Sequence, residues 1–382
     1  MTENEEIHLR RALQLATETI SLASPNPQVG CVLVKDGQAI AEGAHRYDFR
    51  DHAEIVALKQ AGEAARGSTA YVTLEPCSHH GRTGPCADAL IAAGIVRCVI
   101  ATADPNPLVS GRGIARLQAA GIAVTVLPST SPLARDAQTL NDPFAHFIRH
   151  HRPFVTLKAA LSVDGYLAPP PRTRFPNQPH WLTGPAALHE VQLLRHASDA
   201  ILTGVGTVLA DNPALTDRTT LPRRRPLLRV VLDTHLRTPP TAQIVRSANH
   251  DVLFLCGITA STARIKTLED RGVEVLTIPA HNGRLSLPAV LSTLAERNIL
   301  SLLLEAGSAL NGAFLQQDLV DKAILFYSET ELGPGSLPFA HGVESPFLFQ
   351  QTLTSTTSTL FGPDACLTGY RHNPWPSKQP PH

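Results

Sequence analysis

Asp51-His-Ala-Glu-Ile-Val-Ala-Leu58 and Thr73-Leu-Glu-Pro-Cys-Ser-His-His-Gly-Arg-Thr-Gly-Pro-Cys86 together decide how the chain reads. His52 and Glu54 stand in an H-x-E pair, and Cys77 and Cys86 follow a predicted strand over Thr69–Leu74. One imidazole and two thiolates make a three-ligand zinc set. Such a set leaves the fourth tetrahedral position to water, as catalytic rather than structural zinc sites do. A carboxylate two residues from the histidine is not needed to hold the metal. Its use is to carry protons to and from a water at the metal.

Each piece alone has an ordinary explanation. A histidine near a helix start is commonly a polar cap, and an isolated cysteine is commonly a buried thiol. The combination points to chemistry, and it meets the general zinc-deaminase signature H-x-E…P-C-x-x-C in ligand type. The spacing matches only in part, because the second half here reads P-C-x(8)-C. The flanks agree with a built site. Ala53–Ala61 is helix-forming and stops at Gly62. Pro85 suits the first position of a helix over Cys86–Ala93, closed by Gly94. Ligands at helix starts meet the positive end of the helix dipole, which favours the thiolate form.

Lys plus Arg equals Asp plus Glu, 33 each in 382 residues, so no basic field points to nucleic acid. The length predicts two domains with sizeable cores. Six cysteines, at 31, 77, 86, 98, 256 and 366, are widely spread, which fits a reducing cytosol rather than a disulfide framework. The acidic start Met1–Glu6 lacks the apolar core of a signal peptide, and no apolar run approaches a membrane span. The expectation is a soluble, cytoplasmic protein with a small-molecule partner, no nucleic acid and no membrane.

In chain order, Leu9, Ala12, Leu13, Ala16 and Ile20 recur at helical spacing. Ser24–Gly30 is a turn-rich loop, and Cys31–Lys35, Asp36-Gly37 and Gln38–Gly43 predict a β-hairpin. After the two metal segments come a strand over Arg97–Ala101, a helix over Gly113–Ala120 and a strand over Ile122–Leu127. This alternation predicts a three-layer α/β domain. Leu133–Phe147 reads as one connecting helix and His150–Pro153 as a linker. A second α/β pattern starts at Phe154, with further strands at 200–202, 229–232, 251–255, 273–278, 300–304 and 322–327. Helices are predicted over Pro185–His196, Leu287–Arg297 and Ala309–Leu319. Pro169–Pro179 is too proline-rich for helix or inner strand.

These residues resemble a known family, the bifunctional riboflavin-biosynthesis deaminase/reductases. In the first half the resemblance rests on Pro25–Cys31, Gly43-Ala-His45, His52-Ala-Glu54, Thr73–His79, Gly84-Pro-Cys86 and Asp104-Pro-Asn-Pro107; C-x(8)-C is this family's own spacing. In the second half it rests on Lys158–Gly165, Trp181–Gly184, Leu194-Arg195, Asp199–Pro213, Val231–Asp233 and Glu305-Ala-Gly307. The resemblance implies a cytidine-deaminase-like zinc domain over 1–148 and an NADPH-dependent reductase domain, similar to dihydrofolate reductase, over 149–372. The Pro-rich composition of 373–382 separately predicts a disordered tail. The resemblance also implies deamination of a diaminohydroxy-phosphoribosylamino-pyrimidine, then reduction of its ribose to ribityl. A homo-oligomer is expected on the general ground that α/β enzymes commonly self-associate.

Carried over residue by residue, the resemblance makes His52, Cys77 and Cys86 the zinc ligands and Glu54 the proton shuttle. Asn26, His45, His79 and Arg82 are implied around the pyrimidine and its phosphate. Arg195, Leu215, Arg218 and Glu305 are implied to hold the substrate of the reductase. NADPH is implied to meet Ala160, Trp181, Thr207, Asp211, Thr234 and the run Gly307, Ser308, Ala309, Leu310, Asn311, Gly312, Ala313. The Glu305-Ala-Gly-Ser turn also has a rationale of its own, since it joins a predicted strand to a helix start, where N–H groups face a phosphate. Lys158 and Asp164 are the nearest candidates for a general acid. The chain departs from the family at Pro169–Pro179, where a short Gly- and Ser-containing turn is usual. On the residues alone two other readings stay open: a zinc deaminase of nucleic acids or nucleosides, and a zinc-stabilised scaffold in which Glu54 has no task.

Overall fold

A computed structural model describes residues 2–79, 84–107, 109–173, 181–343 and 345–375. The chain divides into two compact units. Met1–His151 with Pro222–Arg224 and the segment from Pro374 make the first, and Arg152–Leu221 with Arg225–Asn373 the second. No described helix is long and apolar enough to cross a membrane.

The first unit contains α1 (Glu3–Thr17), β1 (Gly30–Lys35), β2 (Gln38–Ala44), α2 (Ala53–Ala61), β3 (Thr69–Val72), α3 (Cys86–Ala92), β4 (Arg97–Ile100), α4 (Arg112–Ala119), β5 (Ala123–Val126), α5 (Pro132–Leu140) and α6 (Asp142–His150). Its sheet runs β2-β1-β3-β4-β5, antiparallel through β3 and parallel beyond it. Alternation along each strand sends Cys31, Leu33, Ala70, Val72, Cys98 and Ile100 to one face, against α2, α3 and α4. Val32, Val34, Tyr71 and Val99 go to the other face, against α1 and α5. The three expected layers are present. The hairpin turns on Asp36 and Gly37, both at positive φ as a two-residue turn requires.

The predicted helix over Leu133–Phe147 is two helices. The break falls at Asn141, two residues before Pro143, whose ring removes a donor from the ladder. The Asn141 side chain turns instead to Gln28, accepting its N–H at 2.7 Å and donating to its carbonyl at 3.0 Å.

The second unit holds β6 (Phe154–Leu161), β7 (Tyr166–Ala168), α7 (Pro185–Ala197), β8 (Ala200–Gly204), α8 (Val205–Asp211), β9 (Leu228–Leu232), α9 (Gln243–Arg246), β10 (Val252–Gly257), α10 (Thr262–Glu269) and β11 (Glu274–Ile278). It continues with β12 (Ala280–His281), β13 (Arg284–Leu285), α11 (Leu287–Glu296), β14 (Ser301–Leu304), α12 (Ser308–Gln316), β15 (Lys322–Tyr327), β16 (Leu337–Pro338), α13 (Pro346–Gln350), β17 (Thr354–Phe361) and β18 (Asp364–Tyr370). Nine strands form its main sheet, ordered β11-β10-β9-β8-β14-β6-β15-β18-β17. All pairs are parallel except the two made by β18. The β17–β18 hairpin had no clear signal in the sequence, because β17 is exposed along almost its whole length and shows no alternation. The stretch Pro169–Pro179 includes one turn of 3-10 helix over Pro171–Thr173, and its residues 174–179 lie outside the described part.

The reading of a disordered tail from Asn373 gives way at Pro374 and Trp375. Pro374 is buried, and the Trp375 indole N–H donates to the Gln138 carbonyl and to Asp142. Residues 376–382 lie outside the described part.

Candidate functional site

Two helix starts and one strand end build the first site. His52 is the N-cap of α2, Cys86 is the first residue of α3, and Cys77 lies on the loop that leaves β3. His52 Nδ1 stands 3.2 Å from Cys86 Sγ and 3.6 Å from Cys77 Sγ, and the three ligand atoms all lie within 4.8 Å of one another. Side chains only this far apart, with soft sulfur and imidazole donors, fit a single Zn²⁺. The backbone N–H of Cys86 points at Cys77 Sγ from 3.3 Å. Hydrogen bonding from Cys86 and from His52 holds the Cys77 thiol well below its ordinary value, against the effect of burial.

Gly43 sets how α2 approaches the sheet. A Cβ there would stand 2.0 Å from the Ala53 carbonyl oxygen, so only glycine lets the first turn of α2 lie directly on β2. That turn carries Glu54, which is 3 % exposed. Burial pushes its carboxyl up to about 7, the charge of Cys77 adds to the rise, and His52 opposes it. A carboxyl titrating near neutrality takes and returns protons readily.

The expected pyrimidine contacts converge on this centre in part. Asn26 Nδ2 lies 3.0 Å from His45 Nε2, and His45 Nδ1 is 2.8 Å from the Asp51 carbonyl, which fixes the ring. The His45 ring meets the His52 ring edge-on at 5.2 Å between centroids. Burial raises the Asp104 carboxyl to about 6, and His79 stays close enough to work against that rise. Arg82 lies outside the described residues.

One residue here carried no assignment from the sequence. Glu75 Oε1 accepts the N–H groups of Gly113 and Ile114, and Oε2 those of Asp104 and Gly111. Its own N–H donates to the Thr102 carbonyl. One buried carboxylate thus ties the start of α4 and the Asp104 loop to the residue two before Cys77. The available signal was a carboxylate at the end of an apolar strand, where an unpartnered charge is not tolerated.

In the second unit the sheet order reverses its direction of growth around β8, β14 and β6. Ligands of open parallel sheets bind beyond the strand ends at such a point. Gly204–Thr207 leaves β8 there, and Gly307 caps α12 after β14, with a Cβ at Gly307 coming to 3.7 Å from Thr207 Oγ1. A Cβ at Gly206 would meet nothing within 4 Å. Two glycine turns side by side at helix starts, with open space over one, fit a nucleotide phosphate. Ser308, Ala309 and Leu310 form the first turn of α12. Asn311 and Gly312 face away from the cradle, since Asn311 donates to the Phe339 carbonyl and a Cβ at Gly312 would strike the His341 backbone. Ala313 follows on α12, packed against the main core.

Beside the cradle lies a charge cluster. Arg195 is 8 % exposed and forks onto Glu305 at 2.8 and 2.9 Å, and Lys158 Nζ is 4.0 Å from Glu305 Oε2. Burial works to raise the Glu305 carboxyl, but the charges of Arg195 and Lys158 outweigh it and hold the group below its ordinary value. Burial lowers the Lys158 ammonium. Lys158 and Ala160 lie on the same face of β6, opposite the residues in the main core. Arg218 is exposed, with a charge that also acts on Glu305. Leu215 is buried at a positive φ. Thr234 packs on Gly257, Asp211 ends α8, and Trp181 is exposed. Both oxygens of Asp164 accept N–H groups, from Leu332 and Gly333, so Asp164 fastens a turn. Arg224 stacks on Tyr47, and Arg225 pairs with Asp199.

Residues 2–102 match the family model for the cytidine and deoxycytidylate deaminase zinc-binding region, and residues 153–367 match the RibD C-terminal domain. The riboflavin biosynthesis protein RibD of Escherichia coli K12 is 42% identical over 345 residues, which span 86% of this chain and 89% of that one. Its counterpart in Bacillus amyloliquefaciens is 38% identical over 369 residues, 95% of each chain. Among solved structures, Acinetobacter baumannii RibD aligns with a TM-score of 0.81 at 36% identity, covering 96% of this chain and 99% of that one. A Thermotoga maritima diaminohydroxyphosphoribosylaminopyrimidine deaminase/5-amino-6-(5-phosphoribosylamino)uracil reductase aligns with a TM-score of 0.79 at 32% identity, covering 96% and 98%. Both halves of the relatives' chains are thus present, and this chain belongs to the RibD family of riboflavin-biosynthesis proteins, with a zinc-binding deaminase unit followed by a reductase unit.

Proposed function

We propose that the first unit hydrolyses the amino group of 2,5-diamino-6-(phosphoribosylamino)pyrimidin-4-one. The second unit then reduces the ribosyl side chain of the product to ribityl with NADPH. The observation that carries the reading is the buried carboxyl of Glu54 next to the converged atoms of His52, Cys77 and Cys86. Zinc, once held by those three residues, supplies the Lewis acidity that makes water a nucleophile near neutral pH. Glu54 removes a proton from the attacking water and delivers one to the departing amine. Asn26 and His45 orient the pyrimidine, with His79 and Arg82 at the same site.

In the second unit NADPH, when bound, supplies a hydride. Gly204–Thr207 and the first turn of α12 hold its phosphates, with Ala160, Trp181, Asp211 and Thr234 as further contacts. Arg195 commits its guanidinium to Glu305, which sets that carboxylate to accept a ribose hydroxyl. Arg218 takes the substrate phosphate beside Leu215. Lys158 holds the proton for the oxygen of the reduced carbonyl. Much of the acceleration here comes from positioning. The chain works in the cytoplasm on small molecules, as a homo-oligomer whose mass light scattering would read.

The decisive experiment gives the zinc-loaded protein the diaminopyrimidine nucleotide and NADPH, following ammonia and NADPH together. Equal amounts released and consumed are expected. Glu54→Gln should lower ammonia release by about 10²–10⁴-fold, the range of general acid–base catalysis, with zinc content unchanged. Undiminished ammonia release from that variant would remove Glu54 from the mechanism.

A further inference from the structure

The α5–α6 junction holds both loops that border the proposed deaminase site. Asn141 is 2 % exposed, and its amide pairs with the N–H and carbonyl of Gln28 as a strand backbone would. Gln28 stands two residues after Asn26, which contacts His45. At the far end of α6, Arg149 Nε and Nη2 donate to the Pro105 carbonyl at 3.0 and 2.7 Å. Pro105 follows Asp104, whose N–H is held by Glu75. Two helices joined at one asparagine thus position the loops 25–28 and 104–107.

The last described residues close over this junction. The Trp375 indole N–H is shared between the Gln138 carbonyl at 3.1 Å and Asp142 Oδ1 at 3.0 Å, two groups that flank Asn141 in sequence. Arg149 Nη1 donates to the Pro374 carbonyl, so the guanidinium that grips Pro105 also grips the tail. An ordinary disordered terminus leaves its backbone to water. Here a buried proline and an indole with two acceptors satisfy groups at both ends of α6.

We propose that Pro374–Trp375 is a strap that fixes the substrate loops of the deaminase unit, with Asn141 and Arg149 as the positioning residues through which it acts. The strap bears on binding of the pyrimidine nucleotide and leaves the zinc set alone, since its hydrogen bonds go to Gln138, Asp142 and Arg149. The kinetic part of this inference rests on the proposed reading of the first site.

The test uses the full-length chain carrying Trp375→Ala, Trp375→Phe, Asn141→Ala and the Trp375→Ala/Asn141→Ala pair. Loss of the strap should raise KM for the pyrimidine nucleotide about tenfold, the size of one lost hydrogen bond, while kcat and zinc content stay within about twofold. Trp375→Phe, which keeps a ring and loses the N–H, should show most of that rise. The double variant should be little worse than either single one, because both act through one brace. A lower melting temperature with unchanged KM would reduce Trp375 to a stabilising plug and overturn the strap. Amide hydrogen exchange supplies a readout independent of turnover. Exchange at 25–28 and 104–107 should quicken in Trp375→Ala, and unchanged exchange there refutes the strap even if the wild type releases no ammonia.

Discussion

Glu75→Gln is the substitution whose cost the structure specifies most directly. The wild-type carboxylate accepts four backbone N–H groups, two on each oxygen, at 2.9 and 3.2 Å and at 3.0 and 3.0 Å. Glutamine keeps one oxygen and replaces the other with an amide that donates. Two N–H groups then lose their acceptor and face another donor. A hydrogen bond to a charged group contributes about 1.5–3 kcal/mol, so two such losses cost about 3–6 kcal/mol. The damage lands on the zinc site, because Gly113 sits so close to the Pro76 carbonyl that a Cβ there would be 2.0 Å away. Any shift of the α4 start therefore moves Pro76 and, with it, Cys77. Urea denaturation of the zinc-loaded protein should show the first unit destabilised by that amount. Zinc affinity should fall about 10–100-fold, as when partners of metal ligands are removed. A change under about 1 kcal/mol, with zinc affinity intact, would mean that the four N–H groups find other acceptors and that Glu75 anchors nothing.

Further outcomes follow from the same geometry. Gly43→Ala must push the start of α2 back by about 1 Å to relieve a 2.0 Å contact with the Ala53 carbonyl. A displacement of that size at a reacting group costs about 10²-fold, so ammonia release should fall that far while NADPH oxidation with the deaminated substrate is unchanged. Stripping zinc with a chelator should abolish ammonia release, leave reduction of the deaminated substrate, and be reversed by zinc alone. Glu305→Gln should destabilise the second unit by about 3–5 kcal/mol, because it leaves Arg195 buried without its countercharge. The pH dependence has a definite sign. The Glu305 carboxyl is held below its ordinary value, so its stabilisation is complete above the usual carboxylate range and is lost as pH falls through the folded-state value. The stability difference between wild type and Glu305→Gln should be constant from about pH 6 upward and shrink on acidification below about pH 4. A difference independent of pH would show that packing, not charge, is what the glutamine disturbs.

The first site was legible because its chemistry is local. His52, Glu54, Cys77 and Cys86 each sit within a few residues of a helix start or a strand end that the sequence marks with Gly62, Pro85 or Gly94. Placing those two helix starts together needs only the β-α-β alternation around them. Glu75 lay in the same quoted stretch and went unassigned, since its partners are backbone groups 29 to 39 residues away that no side-chain pattern announces. Asn141 was hidden for a related reason. The apolar spacing of 133–147 continues through it, and only its pairing with Gln28, 113 residues earlier, makes the break a useful one.

The second site was harder to read because its charges are long-range partners. Arg195 ends a helix with nothing nearby to say that it points inward. Its carboxylate, Glu305, is 110 residues away at the end of a strand that neighbours β8 and β6. Lys158 becomes part of the cluster only because β6 pairs with β14 and because alternation turns its side chain off the core face. Sheet order therefore does for the reductase what ligand spacing does for the deaminase. Strand order alone also explains why two weak glycine signals, Gly204–Thr207 and Gly307, become one cradle: their strands are neighbours, so their helix starts are too. An arrangement of this kind tolerates change in a bordering loop better than change in strand order. Replacing 170–179 by a short Gly-Ser turn should therefore leave NADPH affinity within about threefold, and a larger loss would place that loop in the cofactor site.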